Sequence, residues 1–505
     1  MRRGLRALVI VVIALCVAIA ATRSLRAPEP RATRGDVEDV PEPPPLEAPA
    51  PLEAPAPLEA LAPAAPQEPI AAPIPRERAR RAGSDDPCAQ DDGDDVTERP
   101  SITQVLDARQ SELAARVRAT GASSELLEGL RTIVTGGDAE RGIARIASAP
   151  DRRVSGFDHA AAAALHLGIA AFSEGRLRDA ERWARRASSL AREDPAGPVL
   201  EALVAFRSDD EARAREALRE AFERDPEDPG VAWALATRTA RSEDVELALR
   251  ALDVYLAEYP EDVRAGRMRA RARQLAIVLR GTTRRLRRGV VVRAPSGLDA
   301  AVIDRALATV DEALDDAARW TRTTRASELL VVVHPDAVAM RAATCAPTWS
   351  GALFDGSLHV DAATLGGPEA RARIALRHES LHAQLHARPG GARRAPYWLD
   401  EGMAQRFSGE ESAEHHRSWA TMVRSRMWIP MDSIAGSFLD IDDPTDARLA
   451  YHQSLAMVRY LEATRGERAI ANAIAEIDRG TSPEELLARL APELDGARLL
   501  GFLAD

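Results

Sequence analysis

The sequence contains no lysine, so arginine supplies all 67 of its basic side chains. We read this bias as a matter of composition, without functional meaning. Aromatic residues make up only 4% of the chain, and no basic stripe with interleaved aromatics occurs. Together with a net charge of −11, that argues against nucleic acid as a partner. Cysteine is also scarce: Cys16, Cys88 and Cys345 are the only three, and no C-x-x-C pair exists. A disulfide framework and a cysteine-based zinc module are thereby excluded. Nothing in the sequence brings Cys88 and Cys345 together, so two independent thiols are expected rather than a bridge.

Long apolar runs are confined to the N-terminus. Arg2, Arg3 and Arg6 precede an unbroken apolar stretch from Ala7 to Ala21. A charged region followed by an apolar one is the pattern of an export signal, with Ala18-Ile19-Ala20 as a cleavage site. Residues 1–25 are therefore expected to be either a cleaved signal peptide or a signal anchor held in a membrane by residues 5–21. In both cases the rest of the chain is expected outside the cytoplasm, secreted or anchored, and the membrane is touched only by this segment.

Residues 26–100 are dense in proline, and a unit recurs at Pro45-Leu46-Glu47-Ala48, Pro51-Leu52-Glu53-Ala54 and Pro57-Leu58-Glu59-Ala60. Proline at this density blocks helix ladders and favours extended chain. An acidic run, Asp91, Asp92, Asp94 and Asp95, follows. The segment reads as a disordered Pro-rich and acidic linker.

Residues 101–280 are rich in Ala, Leu, Arg and Glu with apolar positions three and four apart, which predicts helices throughout. Gly168, Ala171, Gly175, Ala180, Ala184 and Ala187 are small enough to let two antiparallel helices approach closely. Helix ends are predicted at Asp194-Pro195, Asp225-Pro226 and Tyr259-Pro260. Their spacing lies near the tetratricopeptide period, and residues 155–275 resemble a divergent tetratricopeptide array. The other reading is a generic helical bundle. Either way this part is a scaffold, and a repeat array offers a concave face to a protein partner.

After Gly281 the texture changes. Strands are predicted at Val290–Val292, Leu329–Val333 and Ser357–Val360, with a helix from about Ala300 to Trp320. That order predicts a small sheet with helices packed on it.

The chemistry lies in Arg377-His378-Glu379-Ser380-Leu381-His382, within a helical pattern that begins near Pro368. Two histidines four residues apart share one helix face, so both imidazoles can reach one metal ion. Glu379, one step round, is free to accept a proton from water. This is the H-E-x-x-H pattern. A catalytic zinc site also needs a third protein ligand. Glu401, in Trp398-Leu399-Asp400-Glu401-Gly402, is the candidate. The connector before it carries Pro389, Gly390, Gly391 and Pro396, which lets the chain reverse.

H-E-x-x-H followed by W-L-x-E-G resembles the gluzincin zinc metallopeptidases, and within them the peptidase MA-like domains fused to tetratricopeptide-like repeats. The resemblance covers roughly residues 285–495, including Trp349-Ser350-Gly351-Ala352, Leu358-His359-Val360 and Tyr451-His452-Gln453-Ser454. It implies an α+β zincin-like domain over about residues 285–505, with a small mixed sheet and active-site helices. It implies one Zn2+ held by His378, His382 and Glu401, with Glu379 as general base. It further implies a peptide or protein as substrate. By the same resemblance Tyr451 is the candidate donor to a developing oxyanion; otherwise it is a core or rim tyrosine. Asp400 either holds a ligand histidine through its distal N–H or caps its helix. The metzincin pattern fails, because Leu385 and Arg388 stand where glycine and a third histidine are needed. His386 is expected at the rim, and His415-His416 on a polar helix face. The strand at Ser357–Val360 is expected to offer an open edge to an extended peptide. The alternative function is an interaction scaffold carrying a vestigial zinc domain, yet neither Glu379 nor any ligand is missing.

Overall fold

In a computed structural model the described residues are 101–504, apart from 120–121, 209, 347–349, 389–394, 431–433, 435–437 and 439–443. The expectations for the export signal, the linker, Trp349 and the turn at Pro389-Gly390-Gly391 therefore lie outside the described residues. Among the described residues no helix is long and apolar enough to cross a membrane.

The N-terminal part is helical from Thr103 to Arg280 except for a short two-stranded ribbon at Arg153–Asp158, which the expectation of helices throughout did not include. Aspartates start many of its helices: Asp138, Asp158, Asp210, Asp228 and Asp262 each accept from amides of the first turn. Leu177–Leu190, Glu211–Arg224 and Val245–Glu258 are each 14 residues long. Their starts fall 34 residues apart, twice in succession. Each pairs with the helix before it, and every pair packs on the next. Gly168 shows why small residues recur here. A Cβ there would lie 2.6 Å from Leu200 Cδ2 and 3.2 Å from Trp183 Cβ.

The sheet begins at Thr282 and has five strands: β3 (Thr282–Arg287), β4 (Val290–Pro295), β5 (Leu329–His334), β6 (Ala352–Phe354) and β7 (Leu358–Asp361). A separate two-stranded ribbon, β1 (Arg153–Val154) and β2 (Phe157–Asp158), precedes it in the chain. The spatial order is β3-β4-β5-β7-β6. The three central strands are parallel, and β3 and β6 run antiparallel at the edges. The layout is thus α+β with a mixed sheet, and two of its strands were not anticipated. In β3, Thr-Thr-Arg-Arg-Leu-Arg has no apolar alternation, since its arginines face solvent and the acids of neighbouring elements. Its turn to β4 places Arg288 at φ 45° and Gly289 at φ 87°, the geometry of a two-residue hairpin. β6 is only three residues long.

Pairing on both sides of β7 also corrects the expected open edge. β5 and β6 flank β7, so the free edge beside the site belongs to β6.

One face of the sheet, Val290, Val292, Val331, Val333, Leu358 and Val360, packs on Ala300–Thr321 and Glu369–His386. The other face meets the helical array through Val332, which lies among Ala248, Ala272, Leu275 and Leu279. Ion pairs join the two parts as well. Glu243 lies 3.0 Å from Arg284 and 3.1 Å from Arg293. The C-terminal helices from Tyr397 onward form their own core around Trp398, Met403, Leu455 and Leu461.

Cys345 ends the helix Ala337–Thr344 and is disulfide-bonded. That overturns the expectation of an independent thiol there, because proximity between distant cysteines is set by tertiary folding, which local sequence does not show. Cys16 and Cys88 lie outside the described residues.

Two buried histidines cross the sheet. His334 Nε2 lies 2.9 Å from His359 Nδ1, and His359 Nε2 lies 3.1 Å from Asp355 Oδ1. An N–H at His359 Nε2 donates to the Asp355 carboxylate, which leaves Nδ1 to accept from the His334 Nε2–H. Burial, then the neighbouring His359, pushes His334 down to about 3. The unfolded chain therefore binds a proton at His334 that the folded chain refuses. This contribution to stability is complete above about pH 6.5 and shrinks as pH falls toward 3. We expect a loss on the order of 2 kcal/mol by pH 5. Denaturant unfolding at pH 7 and pH 5 checks it: His334→Gln should lose less stability between the two than wild type, and equal losses would contradict the assignment.

Candidate metal centre

The helix Glu369–His386 lies between two cores. Leu376 and Ala383 face the sheet, and Leu381 and Leu385 face the C-terminal helices. His378 and His382 occupy the strip left between, with side chains 15% and 12% exposed. Their rings stand 5.0 Å apart at 63°.

The helix Tyr397–Ser408 brings Glu401 to them. Trp398 and Leu399 are fully buried on either side of the turn that aims the carboxylate. Glu401 Oε2 lies 3.3 Å from His378 Nε2 and 3.7 Å from His382 Nε2. The three donor atoms lie within 4.8 Å of one another, the one such cluster among the described residues. In a tetrahedral site with bonds of about 2.0–2.1 Å, neighbouring donor atoms are roughly 3.3–3.5 Å apart. The three residues thus fit one small divalent cation.

Both distal nitrogens are backed by carboxylates. His382 Nδ1 lies 3.3 Å from Asp400 Oδ1. His378 Nδ1 lies 3.0 Å from Glu410 Oε2. Carboxylates at these positions accept from each Nδ1–H, so Nε2 is the nitrogen that each ring turns toward Glu401. The sequence analysis missed Glu410. It follows Gly409, whose φ of 76° ends the Glu401 helix and turns the chain back. That glycine was the only local sign of it.

Charge in the pocket favours a cation. Burial would lower His378, but hydrogen bonds to Glu401 and Glu410 overcome it and hold the ring well above its ordinary value. Burial is likewise overcome at His382, where Asp400 and Glu401 raise the pKa to about 9. Glu379 is 8% exposed and its pKa is raised, mainly by burial.

Tyr451 comes from the helix Pro444–Arg465 and packs edge-on against Phe438 at 5.1 Å. Burial, and then the charges of Glu401 and Glu379, push its phenol pKa up, which keeps the hydroxyl protonated at neutral pH. Gln405, also missed, fastens this helix to that of Glu401. Its Nε2 donates to Tyr451 O at 2.9 Å and to Glu401 O at 3.2 Å, and its Oε1 lies 3.1 Å from His415 Nε2. Gln405 stands one turn beyond Glu401 on a buried face, where a polar residue is a readable signal.

The remaining histidines lie off the centre. His386 is exposed against Phe354, as expected of a rim residue. His416 is exposed beside Glu411. His415 departs from the polar-face expectation: it is buried, because Ser412 and Gln405 satisfy both its nitrogens. His452 bonds Ser418 at 2.8 Å.

Gly402 explains the glycine after Glu401. A Cβ there would lie 2.4 Å from Ser454 O and 2.8 Å from Val458 Cγ2. Gly402→Ala must therefore push the Glu401 helix off its neighbour. We expect a stability loss of about 1–3 kcal/mol and zinc affinity roughly 10- to 100-fold weaker. Thermal unfolding and zinc titration check both; unchanged affinity would show that the helix contact does not place Glu401.

No family model matches the chain, and no curated protein matches it.

Proposed function

We propose that residues 285–505 form a zinc-dependent peptidase of gluzincin type, acting outside the cytoplasm, with the helical part as a tetratricopeptide-like array for a protein partner or substrate. The observation that carries this reading is Glu401 Oε2 standing 3.3 and 3.7 Å from the inward nitrogens of a H-E-x-x-H pair. The 34-residue recurrence of equal helices supports the array. The N-terminal charged and apolar segment supports export.

A zinc ion held by His378, His382 and Glu401 would supply Lewis acidity to polarise a carbonyl and lower the pKa of water toward ~7. Glu379, with its buried carboxylate, would accept a proton from the attacking water and return it to the leaving amine. Its raised pKa brings it closer to working pH, which suits a group that both takes and returns a proton. Tyr451 donates its hydroxyl hydrogen to the oxyanion as charge develops. Asp400 and Glu410 hold the two imidazoles in register. The free edge of β6 receives an extended peptide by backbone pairing.

Zinc-loaded full-length protein should cleave casein, lose the activity to a chelator and regain it with zinc. Cleavage that survives complete zinc removal would reject the proposal. Tyr451→Phe should lower kcat by roughly 10²–10³-fold with zinc content unchanged. Steady-state kinetics on a fluorogenic peptide measures this, and an unaltered kcat would return Tyr451 to a packing role.

A further inference from the structure

The helix Thr103–Ala119 stands outside the 34-residue recurrence and lies across it. It packs on His159–Ser173 and Ala196–Arg207, the first helices of the first two pairs. The chain just before it touches the third pair. A Cβ on Gly230, in the first turn of Pro229–Thr239, would lie 3.3 Å from Ser101 O. One segment thus spans three successive pairs.

Its contacts follow a helical stripe. Leu106 is buried in the core of the array, with Ile102 and Val105 packed beside it. Three residues on, Arg109 Nε lies 3.0 Å from Asp194 Oδ2, at the start of Ala196–Arg207. Gln110 Nε2 lies 3.5 Å from His166 Nδ1 on His159–Ser173. Arg116 Nη1 donates to Val154 O at 3.0 Å, and its guanidinium stands 5.0 Å over the Phe157 ring. Ile102, Leu106, Arg109 and Arg116 fall on one face at helical spacing.

This helix is seated but lightly held. Leu106 is its only buried residue among those described, against nine in His159–Ser173. Helices in proteins are stabilised mostly by packing an apolar face, and this one buries little of that kind. Such an element opens before the core of the array does.

We propose that this side of the array is a docking surface for an amphipathic helix bearing an arginine one turn after an apolar pair. Thr103–Ala119 is the chain's own occupant, which a partner helix must displace. Asp194 receives the arginine, and the site that takes Leu106 receives the apolar side chain. The inference deepens the reading of the helical part as a partner-binding array and rests on it. A tethered occupant competes at an effective concentration on the order of millimolar. A free helix therefore gains the surface only as far as the internal one is released.

The test uses full-length protein, a fluorescein-labelled peptide of residues 101–119, fluorescence anisotropy, and hydrogen exchange read by mass spectrometry. Arg109→Glu sets a like charge against Asp194 and leaves the core untouched. Leu106→Ala loosens the same helix from its apolar side. In both variants amides of residues 103–113 should exchange faster, while those of Ala196–Arg207 keep wild-type rates. Both should bind the labelled peptide about tenfold tighter than wild type does. A peptide carrying Arg109→Glu should bind neither. Wild-type exchange over residues 103–113 in both variants would make the helix a fixed part of the fold and overturn the proposal. Equal binding of the two peptides would overturn the pairing with Asp194. Faster exchange without peptide binding would reject the partner-binding reading of the array itself.

Discussion

If the proposed peptidase reading holds, replacing Glu379 by Gln should lower peptide hydrolysis by roughly 10²–10⁴-fold while one zinc ion per chain stays bound. The amide keeps the size of the carboxyl group, so packing around this 8%-exposed side chain is preserved. It cannot take a proton from water. It also forms no part of the donor set, which consists of His378, His382 and Glu401. Loss of activity with retained metal therefore separates the base from the ligands. Parallel measurement of zinc by elemental analysis and of hydrolysis by a fluorogenic peptide decides it. Equal rates for the two proteins would reject Glu379 as the base.

Glu401→Ala acts on the other half of the site. It leaves two imidazoles and removes the carboxylate that meets both of them. Outer partners alone govern about 10- to 100-fold in affinity, so loss of a direct ligand should cost more than about 100-fold. A consequence appears in stability. Zinc at 100 times its Kd stabilises the wild type by about 2.7 kcal/mol through mass action. The variant should show almost none of that gain at the same zinc concentration. Thermal unfolding with and without zinc measures both proteins. An undiminished zinc-dependent rise in the Tm of Glu401→Ala would move the third ligand elsewhere.

Much of the metal centre is legible because its parts are local. His378 and His382 are one turn apart, and Trp398 and Leu399 mark the buried start of the helix that carries Glu401. The same holds for the apolar central strands at Val290, Leu329 and Leu358, and for the helix ends at Asp225 and Tyr259. What escapes the sequence is made by partners far apart in the chain. Glu410 reaches His378 only because Gly409 turns the chain. β6 is three residues long, too short to carry a pattern. β3 hides behind arginines whose acidic partners are distant in the chain: Glu243 in the helical array, and Asp304 and Asp311 on the helix Ala300–Thr321. His334 and His359 read as strand residues, and their hydrogen bond follows from the parallel register of β5 and β7. The bonded state of Cys345 has no local signature at all.

The most direct test of the three-point cage is a crystal structure of the zinc-loaded protein with data collected at the zinc absorption edge. The account predicts one anomalous peak about 2.0–2.2 Å from His378 Nε2, His382 Nε2 and a Glu401 carboxylate oxygen. A fully zinc-loaded crystal with no peak there, or with Glu401 turned away from the two imidazoles, would contradict it.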